Sequence, residues 1–260
     1  MFVHGSGGHA DWWRFIAPFF SSDHRVAAIS LSGMGESDWR ERYDFQIYSS
    51  EVLAGAREGG LFSNAAGPII VAHSLGTLPA LLAAASRADD IAGLVLVDAP
   101  LAYRPAPPPE RGEPRPPSSF TSIEEARGRF RTLPATHCAP TYLMDFLADA
   151  SLSVDHGAHG QSPAVRWKGD PNRKQALSYQ PVGPAMANVR CPLWMMRGEN
   201  SEVITEEAKA WLSPRLPSHT RWMDVPMCGH QIMLDQPLAF VAALRAIVAS
   251  MTPPNVGRAD

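Results

Sequence analysis

A serine at the junction of an apolar strand and an apolar helix is the clearest sign of chemistry in this sequence. The run Ile69–His73 is largely apolar and leads directly into Ser74, Leu75 and Gly76. A sharp strand-to-helix turn exposes a serine hydroxyl at a sheet edge, and a small residue such as Gly76 relieves the crowding. Amides at the start of the helix point toward developing negative charge, so the Leu75 amide is a candidate donor. These residues predict that Ser74 is a nucleophile.

A histidine near the end of the chain is the candidate base. His230 follows the apolar run at residues 219–225, which is typical of a buried strand. An imidazole with an ordinary pKa of about 6.5 accepts a hydroxyl proton and returns it near neutral pH. A histidine therefore has the chemistry that a base for Ser74 requires.

Two N-terminal segments resemble motifs of the α/β-hydrolase family. The turn at Ser74 resembles the nucleophile elbow, with Ala72 in place of the first glycine of the motif. Residues 4–8, His-Gly-Ser-Gly-Gly, resemble the oxyanion loop that follows the third strand of the family. The resemblance implies that the Ser6 and Leu75 amides form the oxyanion hole and that His4 is structural.

Further segments extend this resemblance. Residues 31–38 are similar to the glycine-rich turn after the fourth strand, and His230 lies where the base of the family follows the last strand. The resemblance covers residues 1–100 and 192–248. It implies an α/β fold with a mostly parallel sheet flanked by helices, and a serine esterase that works through an acyl-enzyme without a cofactor.

The acid of the implied catalytic triad has three candidates. Residues 195–204 are similar to the segment after the seventh strand, where a carboxylate of the family orients the histidine. Glu202 is the leading candidate in that segment, and Glu199 is a weaker one. The alternative is Asp98, which ends the strand after the nucleophile helix. Either Glu202 or Asp98 agrees with the family order of serine, acid and histidine.

Apolar runs alternate with helical patterns along most of the chain, which is typical of a parallel sheet covered on both faces. Strands are predicted at residues 25–31, 68–72, 91–97, 191–196 and 219–225. Helices are predicted at residues 11–20, 45–58, 75–87, 205–212 and 236–251.

The alternation is interrupted between residues 101 and 187. Prolines prevent regular structure in the first third of this segment, and they are Pro105, Pro107, Pro108, Pro109, Pro114, Pro116 and Pro117. Weak helical patterns follow at residues 123–131 and 141–152. We interpret residues 1–100 and 188–260 as the hydrolase core and residues 101–187 as a lid or cap insertion.

Aromatic and methionine residues in this insertion predict an apolar pocket for a small, apolar substrate. The candidate lining residues are Phe120, Phe130, Tyr142, Met144, Phe146, Trp167 and Tyr179, together with Trp12 and Trp13.

Composition argues against several other function classes. The 23 basic and 26 acidic residues are scattered and give a net charge of -3, so no basic surface is predicted for nucleic acid. No uninterrupted apolar run reaches the length of about 20 residues that a membrane span needs. The start of the sequence lacks the regions of a signal peptide, which favours a cytoplasmic location. Three cysteines without metal-ligand spacing are expected to be reduced and mostly buried, and no metal is predicted.

The start of the sequence departs from the family pattern. The family has two strands before the His-Gly loop, whereas this sequence begins inside the third, so we hypothesise an N-terminally shortened core. An unpaired sheet edge there would favour a homodimer. The sequence leaves open carbon-carbon bond hydrolases, lactonases and cofactor-free perhydrolases, which share the triad. It also leaves open a non-catalytic hydrolase-like binding protein.

Overall fold

The computed structural model describes residues 1–63, 66–101, 116–136, 138–155, 164–178 and 183–251. The predicted irregular, proline-rich stretch is described only from Pro116 onward, since residues 102–115 lie outside this part of the chain. Tyr179, predicted to line a pocket, also lies outside it.

Ten strands are described. They are β1 (Phe2–Val3), β2 (Ala28–Ile29), β3 (Tyr43–Asp44), β4 (Ile69–His73), β5 (Gly93–Val97), β6 (Leu152–Asp155), β7 (Ala164–Trp167), β8 (Leu177–Ser178), β9 (Leu193–Gly198) and β10 (Arg221–Val225). Six of them form one sheet in the order β10-β9-β5-β4-β1-β2, and every neighbouring pair is parallel. The predicted mostly parallel sheet is therefore confirmed.

Nine α-helices accompany these strands. They are α1 (Phe45–Glu58), α2 (Thr77–Ser86), α3 (Ile123–Arg129), α4 (Thr141–Ala150), α5 (Arg173–Ala176), α6 (Gly183–Met186), α7 (Glu206–Leu212), α8 (Ile232–Asp235) and α9 (Pro237–Met251). Short 3-10 helices occur at Ala10–Trp13, Ala17–Phe20, Ser74–Gly76 and Ser213–Arg215.

Local capping explains why α1 begins and ends as the sequence predicts. The Asp44 side chain accepts a hydrogen bond from the Ile47 amide, which satisfies an amide of the first turn. Two glycines end the helix, and Gly60 has a φ of 67°, a conformation that side chains disfavour. The helix predicted at residues 11–20 is instead two 3-10 helices, because Pro18 at the start of the second cannot donate a backbone hydrogen bond.

The core lies on both faces of the parallel sheet. Successive residues of a strand point to opposite faces. Along β5, Leu94 and Leu96 pack with the side of the sheet covered by α1, α2 and α7, whereas Val95 and Val97 pack on the side covered by α8 and α9. Both faces are therefore buried, and chemistry is restricted to the strand ends and the loops that follow them.

Residues 101–187 contribute no strand to the six-stranded sheet among the residues described. Within this segment β6 and β7 pair in antiparallel fashion. The segment is attached to the core by the pairing of β8 with β3 and by the Asp170 amide, which donates to the Gly33 carbonyl over 3.0 Å. The Tyr43 hydroxyl also donates to the Asp170 carboxylate over 2.7 Å.

Two further sequence expectations bear on the fold. Cys191 and Cys228 are buried, as expected, but Cys138 is exposed. None of the helices in the described ranges is both long enough and apolar enough to cross a lipid bilayer.

Candidate active site

Ser74 lies immediately after β4, in a backbone conformation that side chains rarely adopt. Its φ is 51°, in the left-handed region that costs a residue with a side chain about 1–2 kcal/mol. The turn is crowded, since a Cβ added to Gly5 would lie 2.9 Å from Ser74 Cβ and one added to Gly76 would overlap the His4 carbonyl oxygen. The two glycines therefore allow the N-terminal loop and the strand-to-helix turn to meet at Ser74.

His230 lies in the loop after β10 and contacts Ser74 directly. The Ser74 Oγ and the His230 Nε2 are 2.9 Å apart. The side chain is buried, and the Asp235 carboxylate holds its loop by accepting a hydrogen bond from the Gly229 amide over 2.9 Å. The structure thus brings together the predicted nucleophile and base, which are 156 residues apart in the sequence.

Asp98, at the end of β5, contacts the other nitrogen of this imidazole. The His230 Nδ1 donates to Asp98 Oδ2 over 2.6 Å. Because a carboxylate only accepts, this bond fixes the tautomer that leaves Nε2 free to accept from the Ser74 hydroxyl. The Asp98 side chain is completely buried, and the residue itself has a φ of 46°.

The position of the acid differs from the leading sequence expectation. Glu202 is exposed, and the contact expected between it and His230 is not formed. Asp98, the alternative acid, occupies that position instead. Glu199 is also directed elsewhere, because its carboxylate accepts from the Met227 amide over 3.0 Å.

Ser201, in the loop after β9, helps to hold the Asp98 carboxylate in place. The Ser201 hydroxyl donates to Asp98 Oδ2 over 2.6 Å and accepts from the Val203 and Ile204 amides, each over 3.1 Å. The Gly198 amide donates to Asp98 Oδ1 over 3.2 Å. The carboxylate thus accepts three hydrogen bonds, which offset the cost of burying its charge.

The predicted oxyanion residues lie on either side of Ser74. Leu75 is in the first turn after β4, where amides have no partner within the helix. Ser6 follows Gly5 in the loop against Ser74, and its amide has no acceptor among the described residues. The Ser6 hydroxyl accepts from Arg173 Nη2 over 2.8 Å.

Two buried histidines support this framework in their neutral form. Burial lowers the pKa of His4 to about 3, and its ring accepts from the Leu31 amide over 3.0 Å while its Nδ1 donates to the Gly5 carbonyl over 2.7 Å. Burial also lowers the pKa of His73 well below its ordinary value. The His73 Nε2 donates to the His230 carbonyl over 3.0 Å, and the two rings lie 4.7 Å apart.

The predicted apolar lining residues that are described lie mainly in two clusters of apolar side chains. Trp12 and Trp13 belong to one cluster, against which Phe130, Met144 and Phe146 pack, and Phe120 and Trp167 pack against the other. Trp13 is in the core, where its ring stacks on Phe2 at 4.9 Å. Phe120 and Phe130 pack on Trp167 at centroid distances of 5.3 and 5.9 Å. In the part of the chain that is described, no cluster of three histidine, cysteine or acidic side chains is arranged to hold a metal ion.

Sequence reasoning missed three residues at this site. Ser201 and His73 stand next to predicted site residues in the sequence, and that adjacency is the only signal for them. Arg173 gives no signal, because it lies in a stretch without a motif.

Comparisons with known proteins identify the family and the fold. A family model described as "Alpha/beta hydrolase family" matches residues 1–244. The esterase Rv0045c of Mycobacterium tuberculosis is 25% identical over 95% of this chain and 82% of its own length. The lipase LipV of the same organism is 26% identical over 94% of this chain and 90% of its own length. A thioesterase domain from the curacin biosynthetic pathway has the same fold, with a TM-score of 0.76, 19% identity, and coverage of 95% of this chain and 89% of that domain.

Proposed function

The chain belongs to the alpha/beta hydrolase family and is a hydrolase enzyme, and on this basis we propose that it is a serine esterase that cleaves a small carboxylic ester through an acyl-enzyme. One observation carries the proposal. An unbroken series of hydrogen bonds runs from Ser74 Oγ to His230 Nε2 over 2.9 Å and from His230 Nδ1 to Asp98 over 2.6 Å. The names of the relatives Rv0045c and LipV, an esterase and a lipase, support an ester as the bond attacked.

In the first half of the reaction, Ser74 Oγ attacks the ester carbonyl carbon while His230 Nε2 takes the hydroxyl proton. The resulting imidazolium is stabilised by the buried Asp98 carboxylate. When the tetrahedral intermediate collapses, the carbon-oxygen bond to the alcohol breaks and His230 gives its proton to the leaving oxygen. The acyl group is then bonded to Ser74.

In the second half, a water molecule takes the place of the alcohol. His230 accepts a proton from this water, which attacks the acyl carbonyl, and the bond to Ser74 Oγ breaks as His230 returns the proton. The carboxylic acid leaves, and the serine hydroxyl is restored. All proton transfers use the same imidazole nitrogen, which the contact with Asp98 keeps available.

Two backbone amides hold the negative oxygen in both halves. We assign this role to Ser6 and Leu75, which flank Ser74 on the N-terminal loop and on the turn after β4. Fixed amides of this kind contribute about 2.7–4 kcal/mol each to the lowering of the barrier. The tight approach of Gly5 to Ser74 supports the assignment, because a larger residue would move the Ser6 amide away.

Residues 101–187 serve as the lid over this site. The supporting contacts are those between this segment and the loops beside Ser74. Arg173 donates to Ser6, and His9, in the same N-terminal loop, has its Nε2 2.9 Å from Ser151 Oγ. A segment that covers the site excludes water and shapes the substrate pocket.

The free thiols of the three cysteines fit the proposed cytoplasmic location, since that compartment is reducing.

A transient-state assay with nitrophenyl esters of increasing acyl length tests the proposal. We expect wild-type protein to release a burst of nitrophenolate equal to the enzyme concentration when deacylation is slower than acylation. Ser74→Ala, which removes only the hydroxyl, should abolish both the burst and the steady-state turnover. Turnover that survives in Ser74→Ala at the wild-type rate would contradict the proposed function.

A further inference from the structure

An arginine of the 101–187 segment is buried beside the candidate active site. Arg173 is the first residue of α5, and only 4% of its surface is exposed. Its Nη2 donates to the Ser6 hydroxyl over 2.8 Å. Its Nη1 is buried and has no hydrogen-bond partner among the described residues. One donor of a buried cation is therefore unused.

The charge of this arginine also lacks a partner. Within the described part of the chain, no carboxylate lies within 4.0 Å of the guanidinium. Asp170, three residues earlier, has its oxygens engaged by the Tyr43 hydroxyl and the Asn172 amide. His4 is neutral at physiological pH, because burial lowers its pKa to about 3.

A guanidinium in this state is suited to bind an anion. Arginine is charged at all physiological pH values and presents its donors in a fixed fork that matches a carboxylate. Burial of a cation without a counter-ion is costly, and an anionic ligand removes that cost. By contrast, the charge of Arg197, which is also buried, is satisfied within the protein by ion pairs with Glu206 and Asp224.

The position of the guanidinium relates it to the reaction. It contacts the side chain of Ser6, whose backbone amide is the proposed oxyanion donor. Through Gly5, which touches Ser74, standard bond lengths place the guanidinium within about 14 Å of Ser74 Cβ. This upper bound is comparable to the reach of a short, extended half-ester bound to both groups.

We propose that Arg173 is a specificity-determining residue that binds a carboxylate on the ester substrate. This inference rests on the proposed esterase function and names its substrate class as esters that carry a carboxylate a few carbon atoms from the scissile bond. It differs from the sequence expectation of a small, apolar substrate. The carboxylate accepts from the unused Nη1 of Arg173, while the ester carbonyl lies against Ser74.

Matched pairs of esters test this inference. Monomethyl adipate and methyl hexanoate have similar lengths and differ in the terminal carboxylate, which is on the acyl side. Sodium 4-acetoxybutanoate and butyl acetate form the corresponding pair with the carboxylate on the alcohol side. Proton release is followed at constant pH, and kcat and KM are measured for wild-type protein, Arg173→Met, Arg173→Gln and Lys174→Met.

Wild-type protein should prefer the anionic member of one pair by about tenfold or more in kcat/KM, the range expected for a charged hydrogen bond. Arg173→Met should lower kcat/KM for the anionic ester by at least about tenfold more than for the neutral ester, mainly through a higher KM. Arg173→Gln keeps a donor for Ser6 without the charge and should lose the preference equally. Lys174→Met removes an exposed neighbouring cation and should leave the preference intact.

Different results overturn different claims. Equal kcat/KM for the members of both pairs in wild-type protein would overturn the role of Arg173 and leave the esterase function standing. An equal loss on charged and neutral esters in both Arg173 variants would also overturn it, because Arg173 would then only position the Ser6 loop. If wild-type protein hydrolyses no ester, the binding of monomethyl adipate to Ser74→Ala is measured by calorimetry. If the added change Arg173→Gln weakens this binding by about tenfold, the result supports the anion site. The absence of binding would overturn the proposal.

Discussion

Replacement of Asp98 by asparagine is the sharpest mutational test of the site. The carboxylate accepts from His230 Nδ1, from the Ser201 hydroxyl and from the Gly198 amide. Asparagine has one oxygen and cannot satisfy all three donors. If the asparagine oxygen faces His230, the asparagine NH2 group faces the Gly198 amide, and two donors oppose each other. If the NH2 group faces His230, it stabilises the histidine tautomer that cannot accept a proton from Ser74.

Both orientations remove the negative charge that stabilises the imidazolium, so we expect kcat to fall by about 10³–10⁴-fold, as the equivalent change does in a serine protease. The free energy of unfolding should fall by about 1–3 kcal/mol, the cost of an unsatisfied buried donor. The assay is steady-state hydrolysis of nitrophenyl butyrate, with circular dichroism and thermal unfolding to verify the fold. Glu202→Gln is the control, since Glu202 is exposed and should keep kcat within about twofold. A folded Asp98→Asn protein with more than a tenth of wild-type kcat, or a Glu202→Gln protein that loses most activity, would refute the assignment of the acid.

Three further perturbations have definite expected outcomes. Ser201→Ala removes one donor to Asp98 and should lower kcat by about tenfold, the low end of a hydrogen bond to a charged group; an unchanged ester turnover would show that this bond does not position the acid. Gly76→Ala should lower the free energy of unfolding in urea by about 1–3 kcal/mol, because the new Cβ overlaps the His4 carbonyl oxygen. Gly128→Ala is its control, since it meets open space in α3 and should be neutral or slightly stabilising; equal effects of the two changes would disprove the steric explanation. The pKa of His4 is about 3 in the folded protein, against an ordinary value of 6.5. Below pH 6.5 the unfolded chain therefore binds a proton at His4 that the folded protein does not bind. His4 should therefore lower the free energy of unfolding by about 1.4 kcal/mol per pH unit as the pH falls toward 4. In urea titrations the free energy of unfolding of His4→Gln should decrease less steeply with falling pH.

The sequence predicts the core of the fold well because its signals are local. The bounds of α1 follow from an N-cap and two terminal glycines, and the buried strands follow from apolar runs. The small strands of the 101–187 segment could not be predicted, since each is only two to four residues long, and β8 also depends on a partner far away in the sequence. The β3–β8 pair, for example, joins Tyr43 to Leu177.

The candidate site is predictable to the extent that each residue follows a strand. Ser74 directly follows β4 and His230 lies in the loop after β10, and the two residues meet at one sheet edge, as parallel topology requires. The choice between Asp98 and Glu202 does not follow from topology, because β5 and β9 are neighbours and both residues lie beyond their carboxyl ends. The direction of the side chains in the loop after β9 determines which carboxylate contacts His230. Ser201 points inward and bonds Asp98, whereas the next residue, Glu202, points to solvent.

Labelling with a fluorophosphonate probe, followed by intact-protein and peptide mass spectrometry, tests most directly whether Ser74 is an activated nucleophile. We predict one adduct per chain on the peptide that contains Ser74, no adduct in Ser74→Ala, and labelling at least about 100-fold slower in His230→Ala because the base is absent. Folded wild-type protein that stays unlabelled, or an adduct on a residue other than Ser74, would contradict the proposed mechanism and favour a non-catalytic binding protein.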